Sequence, residues 1–238
     1  MSKSEFSIAL AGQPNAGKST LFNCLTGVRQ FVANYPGVTV EKRTGVFDYK
    51  NVKFNVTDLP GTYSLTSYSL EERVARGFLL NEKPDLTIHV IDSSNLSRSL
   101  YLTFQILELG IPVIGALNMA DVAKKRGMTI DNKALEKELG IPFYTVMASK
   151  NKGIDDLKSG IYNFVHDSEI PKKEFELDYG KNLEEYINKV SEKLEGSELA
   201  SVYPARWLAI KFMENDSEII DLLEGKKIDG KIKLIGSK

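Results

Sequence analysis

Gly12-Gln13-Pro14-Asn15-Ala16-Gly17-Lys18-Ser19 decides the fold of this chain. The stretch fits G-x-x-x-x-G-K-[ST] in full. Phe6 to Ala11 before it reads as a short buried strand, and Ser19 to Leu25 after it as the start of a helix. Strand, glycine loop and helix in that order are the context a phosphate-binding loop requires. The glycines let the backbone curl so that several N–H groups face one anion, and the helix N-terminus adds a favourable dipole. In that reading Gly12 to Ser19, with Thr20 next in the helix, wrap a nucleotide's phosphates. Lys18 reaches the β- and γ-phosphates, and the Ser19 hydroxyl takes Mg²⁺.

Outward from the loop, buried-looking strands alternate with helices. Thr44 to Phe47 and Val52 to Val56 flank a hairpin turn, whereas Gly27 to Gly37, with Phe31 and Tyr35 looking exposed, reads as irregular. A helix is expected near Glu71 to Leu80, with Glu71 and Glu72 read as charges on its surface in preference to acids that position the preceding loop. Leu86 to Asp92 is a buried strand in which His89 reads as a packed core histidine. A helix through Leu100, Thr103, Phe104 and Leu107 stops at Gly110, and Pro112 to Leu117 is the next strand. Asp131 looks like the N-cap of Asn132 to Leu139, with Gly140 as its stop. Pro142 to Met147 and Ile154 to Val165 complete the alternation. The expected fold is α/β, a mostly parallel sheet with one antiparallel edge strand.

The character changes near Ile170-Pro171. Leu183, Tyr186, Ile187, Val190 and Leu194 repeat at helical spacing, Pro204 opens a helix around Trp207, and Ser217 to Leu223 forms another. This predicts two domains, a nucleotide-binding domain over 1–168 and a small all-helical regulatory domain over 169–238.

At 238 residues, 42% apolar and 26% charged, the chain has the composition of an ordinary globular protein with a real core. Its net charge of −1 and slightly acidic helical tail weigh against nucleic acid as a partner. The single Cys24 reads as a packed thiol. With two histidines and no cysteine pair, a zinc site is not expected. The polar start, Met1 to Glu5, reads as no signal peptide, and no apolar run is long enough to cross a bilayer.

Four further stretches fall at strand ends, where an open α/β sheet places its ligand. Asp58-Leu59-Pro60-Gly61 can hold Mg²⁺ through Asp58 and bring the Gly61 N–H to the γ-phosphate, with Thr39 as a second Mg²⁺ hydroxyl. Asn118-Met119-Ala120-Asp121 chooses the base. The Asp121 carboxylate can accept two hydrogen bonds from the N1–H and 2-amino group of guanine, whereas adenine would leave it unpaired. Charge-assisted hydrogen bonds contribute roughly 1.5–3 kcal/mol each, enough to discriminate by orders of magnitude. Asn118 would brace loop and base, and Ala148-Ser149-Lys150 can offer a backbone N–H to the guanine O6.

These five stretches, in this order, resemble those of the Ras-like GTPases. The runs G-Q-P-N-A-G-K-S-T-L-F-N-C-L-T-G, N-Y-P-G-V-T-V-E, D-L-P-G-T-Y-S-L and N-M-A-D are similar to the N-terminal domain of the FeoB ferrous iron transporters. The later P-A-R-W-L-A-I-K is similar to the helical domain that follows it in that family. The resemblance implies Mg²⁺-dependent hydrolysis of GTP to GDP at the cytoplasmic face of the cell membrane. It also implies a partner in the transmembrane, iron-conducting segment of a longer protein; a homo-oligomer is a further candidate. Thr62 stands where Ras-like enzymes carry a water-orienting glutamine, and Arg29 and Arg43 read as surface charges, so slow hydrolysis is expected. Asn15 matches the asparagine through which potassium-activated relatives hold K⁺; its other reading is a brace for the loop backbone. The residues expected to act on the reacting phosphate are thus Asn15, Lys18, Thr39 and Gly61. Two other readings fit the motifs: a stand-alone GTPase acting at ribosome or tRNA, and a GTP/GDP sensor with incidental turnover.

Overall fold

The computed structural model describes residues 3–166 and 177–225. The expected domain boundary near Ile170-Pro171 lies outside them. Among the described residues, no helix is long and apolar enough to cross a membrane.

One seven-stranded sheet organises the chain. Its strands are β1 (Glu5–Gly12), β2 (Gln30–Asn34), β3 (Glu41–Tyr49), β4 (Val52–Asp58), β5 (Leu86–Asp92), β6 (Val113–Asn118) and β7 (Phe143–Thr145), in the order β2-β3-β4-β1-β5-β6-β7. The pairs β4–β1, β1–β5, β5–β6 and β6–β7 are parallel, and β3 runs antiparallel to both its neighbours. β5 and β6 are buried almost throughout because helices cover both faces of a parallel sheet.

The edge of the sheet departs from the sequence reading. The stretch read as irregular contains β2, which lies outside β3. Four of its five residues are exposed, with Phe31 at 71%, so no in–out alternation marks it. Tyr35, expected to be exposed, is buried with its ring edge-on to Phe78 at 6.3 Å.

The helices are α1 (Lys18–Thr26), α2 (Leu70–Glu82), α3 (Leu96–Glu108), α4 (Ala120–Lys125), α5 (Asn132–Leu139), α6 (Ile154–His166), α7 (Lys181–Leu194), α8 (Ala205–Met213) and α9 (Ser217–Leu223). Alternate residues of the central strands feed two cores. Ile8, Leu10, Ile88, Val90 and Ile114 pack with Leu21, Phe22 and Leu25 of α1 and Leu157 and Ile161 of α6. Ala9, Ala11, Ile91, Val113 and Leu117 belong with α2 and α3 on the other face, in a cluster continuing into Trp207 and Leu208 of α8 and Ile219 and Leu222 of α9. Trp207 is 1% exposed, so the tail helices share a core with the sheet. His89 is fully buried with its Nδ1 2.9 Å from the Thr103 hydroxyl, the packed histidine the sequence suggested. Asp131 caps α5 by accepting from Ala134 N, and Gly140 ends it at φ 69°. The short α4 was not anticipated; six residues hold too little apolar periodicity to be seen.

Candidate functional site

Four of the five motifs, all but Thr39, meet at the C-terminal ends of β1, β4, β6 and β7. Gly12 closes β1 beside β5, where a Cβ would come within 2.7 Å of the Val90 carbonyl oxygen. The loop turns through Asn15 at φ 65° and Gly17 at φ 83°, with Ala16 N donating to Gln13 O at 3.2 Å. A Cβ on Gly17 would fall 2.2 Å from Asn118 Nδ2, so glycine is required by space as well as by backbone. No side chain caps α1, which leaves its first N–H groups free to face an anion. Pro14, Asn15, Ser19 and Thr20 are exposed around this mouth, while Gln13, Ala16 and Lys18 are buried.

Lys18 and Asp58 form a buried ion pair at the centre of the site. Burial pushes the Asp58 carboxyl above the usual carboxylate range, and the charge and hydrogen bond of Lys18 act against that push. The loop after Asp58 lies on the phosphate loop: Thr62 N donates to Gly12 O at 3.2 Å, and a Cβ on Gly61 would stand 3.2 Å from the Pro14 backbone. Thr62 is 4% exposed, so its side chain faces protein rather than an attacking water. Thr39 is exposed within the Tyr35–Val40 loop, and among the described residues no hydrogen bond joins it to Ser19 or Asp58.

On the base side one side chain ties three motifs together. Asn118 Nδ2 donates to Ala16 O at 2.9 Å, and Asn118 Oδ1 accepts from Ala148 N at 3.0 Å. Met119 turns the chain at φ 58° and starts α4, placing Asp121 in its first turn. Lys150 Nζ lies 2.6 Å from Asp121 Oδ2, and this contact holds the Asp121 carboxyl below the usual range. In the turn that carries the fifth motif, Ala148 N is bound by Asn118, Lys150 N by Met147 O and Asn151 N by Ala148 O. Among the described residues the exposed Ser149 keeps the uncommitted N–H of that turn. Cys24 of α1 is half-buried and donates to Ala148 O at 3.3 Å.

Around the site, the structure changes the roles of several residues. Glu72 is no plain surface charge. Its carboxylate accepts from Ser64 Oγ at 2.6 Å and Thr66 Oγ1 at 2.5 Å, and it completes a capping box with Ser69 at the start of α2. The spacing Ser69-x-x-Glu72 carried that signal. The Tyr35 hydroxyl is buried without a hydrogen-bond partner among the described residues, and burial together with the nearby Asp58 pushes its phenol upward. Arg29 is engaged with Asp48 at 2.7 Å, and Arg43 with Glu41.

A mostly parallel sheet, a glycine loop opening a helix, and an N-x-x-D turn braced onto that loop define the Ras-like P-loop GTPase fold. The family model described as ferrous iron transport protein B matches residues 6–161, and the model of the FeoB cytosolic helical domain matches 179–237. The chain belongs to the FeoB family.

The Fe(2+) transporter FeoB of Methanocaldococcus jannaschii is 45% identical over 228 residues, covering 96% of this chain and 33% of that protein. The Escherichia coli K12 Fe(2+) transporter FeoB is 41% identical over 223 residues, covering 89% and 27%. The chain thus spans about a third or less of the curated relatives it matches. Among solved structures, the cytosolic domain of the T. maritima FeoB iron transporter in a GDP form superposes with a TM-score of 0.88 at 42% identity, covering 97% of this chain and 91% of that one. The GMPPNP form gives 0.86 at 42%, covering 97% and 90%.

Proposed function

We propose that this chain binds GTP and hydrolyses it to GDP and phosphate, as the nucleotide-responsive cytoplasmic part of a longer Fe²⁺ transporter. In that protein its switch loops couple to, or gate, a transmembrane iron-conducting segment. The observation that carries the reading is the placement of Asn118, which holds the phosphate loop and the 148–150 turn beside Asp121. Guanine then receives the Asp121 carboxylate on N1–H and the 2-amino group and the Ser149 N–H on O6. Lys150 keeps that carboxylate charged and in place. The GDP and GMPPNP forms of the T. maritima domain support the same ligand class here.

The phosphate end fits Mg²⁺. Ser19 and Asp58 offer hard oxygen donors, few in number, as suits a cation that keeps waters and phosphate oxygens as its other ligands. Mg²⁺ would neutralise charge on the phosphates. Lys18 would trade Asp58 for a phosphate, so neither partner of the buried pair is left alone. The Gly61 N–H would donate to the γ-phosphate. Thr39 would reach the cation only after the Tyr35–Val40 loop moves. K⁺ fits Asn15, whose exposed side chain makes no hydrogen bond among the described residues and therefore does not brace the loop. With Thr62 buried and both Arg29 and Arg43 engaged, hydrolysis is slow.

The test is titration with GTP and ATP together with phosphate release. GTP should bind at least about 100-fold tighter than ATP, and Asp121→Ala should erase most of that preference. Equal affinity for the two nucleotides in the unaltered chain sinks the proposal.

A further inference from the structure

The segment Gly61-Thr62-Tyr63 lies against the phosphate loop, yet Thr62 cannot orient a water and Tyr63 is 43% exposed, so core burial does not place it. Its immediate neighbour is Arg98, in the first turn of α3. The Arg98 guanidinium stacks over the Tyr63 ring at 4.3 Å from the centroid. The carbonyl of the same residue accepts from Gln13 Nε2 at 2.7 Å, and Gln13 is 5% exposed. Arg98 therefore grips the phosphate loop through its main chain and the loop after Asp58 through its side chain. No carboxylate pairs with Arg98 among the described residues, so its charge stays uncompensated beside that loop. One helical stretch further, Gln105 Oε1 accepts from Leu65 N at 2.7 Å, so α3 holds the same loop at a second point.

We propose that Arg98 is a positioning residue for hydrolysis, latching the Gly61–Tyr63 segment onto the phosphate loop through the Tyr63 ring. This rests on the GTPase reading above. It adds a cation that acts on the loop where no finger arginine is placed. A cation–π contact at an exposed site corresponds to a few-fold change in an equilibrium. The effect falls on kcat, because the loop is required in place when the γ-phosphate leaves and contributes little to holding GDP.

The experiment compares the unaltered chain with Arg98→Ala, Arg98→Lys, Tyr63→Leu, Tyr63→Phe and the Arg98→Ala/Tyr63→Leu double variant. The readouts are kcat, KM for GTP, GDP affinity, and hydrogen–deuterium exchange over residues 61–69. Arg98→Ala and Tyr63→Leu should each lower kcat by about fivefold and speed exchange of that segment by a similar factor, leaving GDP affinity unchanged. Tyr63→Phe keeps the ring and should match the parent, Arg98→Lys should recover part of the loss, and the double variant should be no slower than either single one. An Arg98→Ala kcat within twofold of the parent overturns the latch, as do losses that multiply in the double variant. Absence of GTP hydrolysis in the parent chain refutes the GTPase reading instead, while the exchange data still decide whether the latch exists.

Discussion

Arg76 of α2 and Asp216, the residue that caps α9, meet at 2.7 Å inside the protein although 140 residues separate them. Both side chains are 3% exposed, Glu218 adds a second carboxylate, and the guanidinium lies 5.9 Å from the Trp207 ring. Removing one member of a buried pair strands the other, at a cost of about 3–5 kcal/mol. Arg76→Ala should therefore lose stability in that range, measured by urea denaturation, and Arg76→Met with Asp216→Leu should regain much of it. A loss under about 1 kcal/mol in Arg76→Ala would mean the carboxylates find other partners.

Asn15 offers the cleanest test of the cation dependence. Phosphate release should be faster in K⁺ than in Na⁺ by roughly tenfold or more, as expected for a fixed charge beside a developing one. Asn15→Ala should give equal rates in the two salts while GDP affinity holds. Equal rates in the unaltered chain would remove K⁺ from the mechanism.

Glu72 joins the start of α2 to the loop that follows Gly61 through Ser64, Thr66 and Ser69. Glu72→Ala should lower stability by about 1–2 kcal/mol, the cost of a lost cap and two orphaned hydroxyls. Glu72→Gln, which can still close the capping box, should lose less. A denaturation midpoint identical in all three proteins would show that the loop stands without it.

His89 sets an acid limit. Burial lowers its pKa to about 3, whereas in the unfolded chain it titrates near the ordinary value of 6.5. Below that value the unfolded chain takes up a proton that the folded one refuses. Stability should therefore fall as pH drops from about 6.5 towards 3, by up to about 1.4 kcal/mol per pH unit from this group. His89→Gln keeps an amide partner for Thr103 and should flatten the slope, which denaturation at pH 7, 6 and 5 would measure.

Much of the site was legible because its chemistry is local. Gly12 to Ser19, Asp58 to Gly61 and Asn118 to Asp121 each declare a loop by residue type and spacing, and the buried strands before them fix where those loops end up. What escaped depends on contacts between distant segments or on surfaces without a buried face. β2 is exposed on both sides, so Phe31 and Val32 gave no alternation, and Tyr35 five residues from its start is buried only because α2 supplies Phe78. Arg98 carries no motif of its own; its relation to Tyr63 and Gln13 exists only once α3 packs. Lys150 contacts Asp121 across two motifs that sequence could read only separately.

Because a single amide, that of Asn118, spans Ala16 and Ala148, the protein cannot weigh the base and the phosphates of its ligand independently. Whatever orders one end of the pocket prepays the ordering of the other. Guanosine alone and pyrophosphate alone should then each bind far more weakly than their joined product would suggest from simple addition.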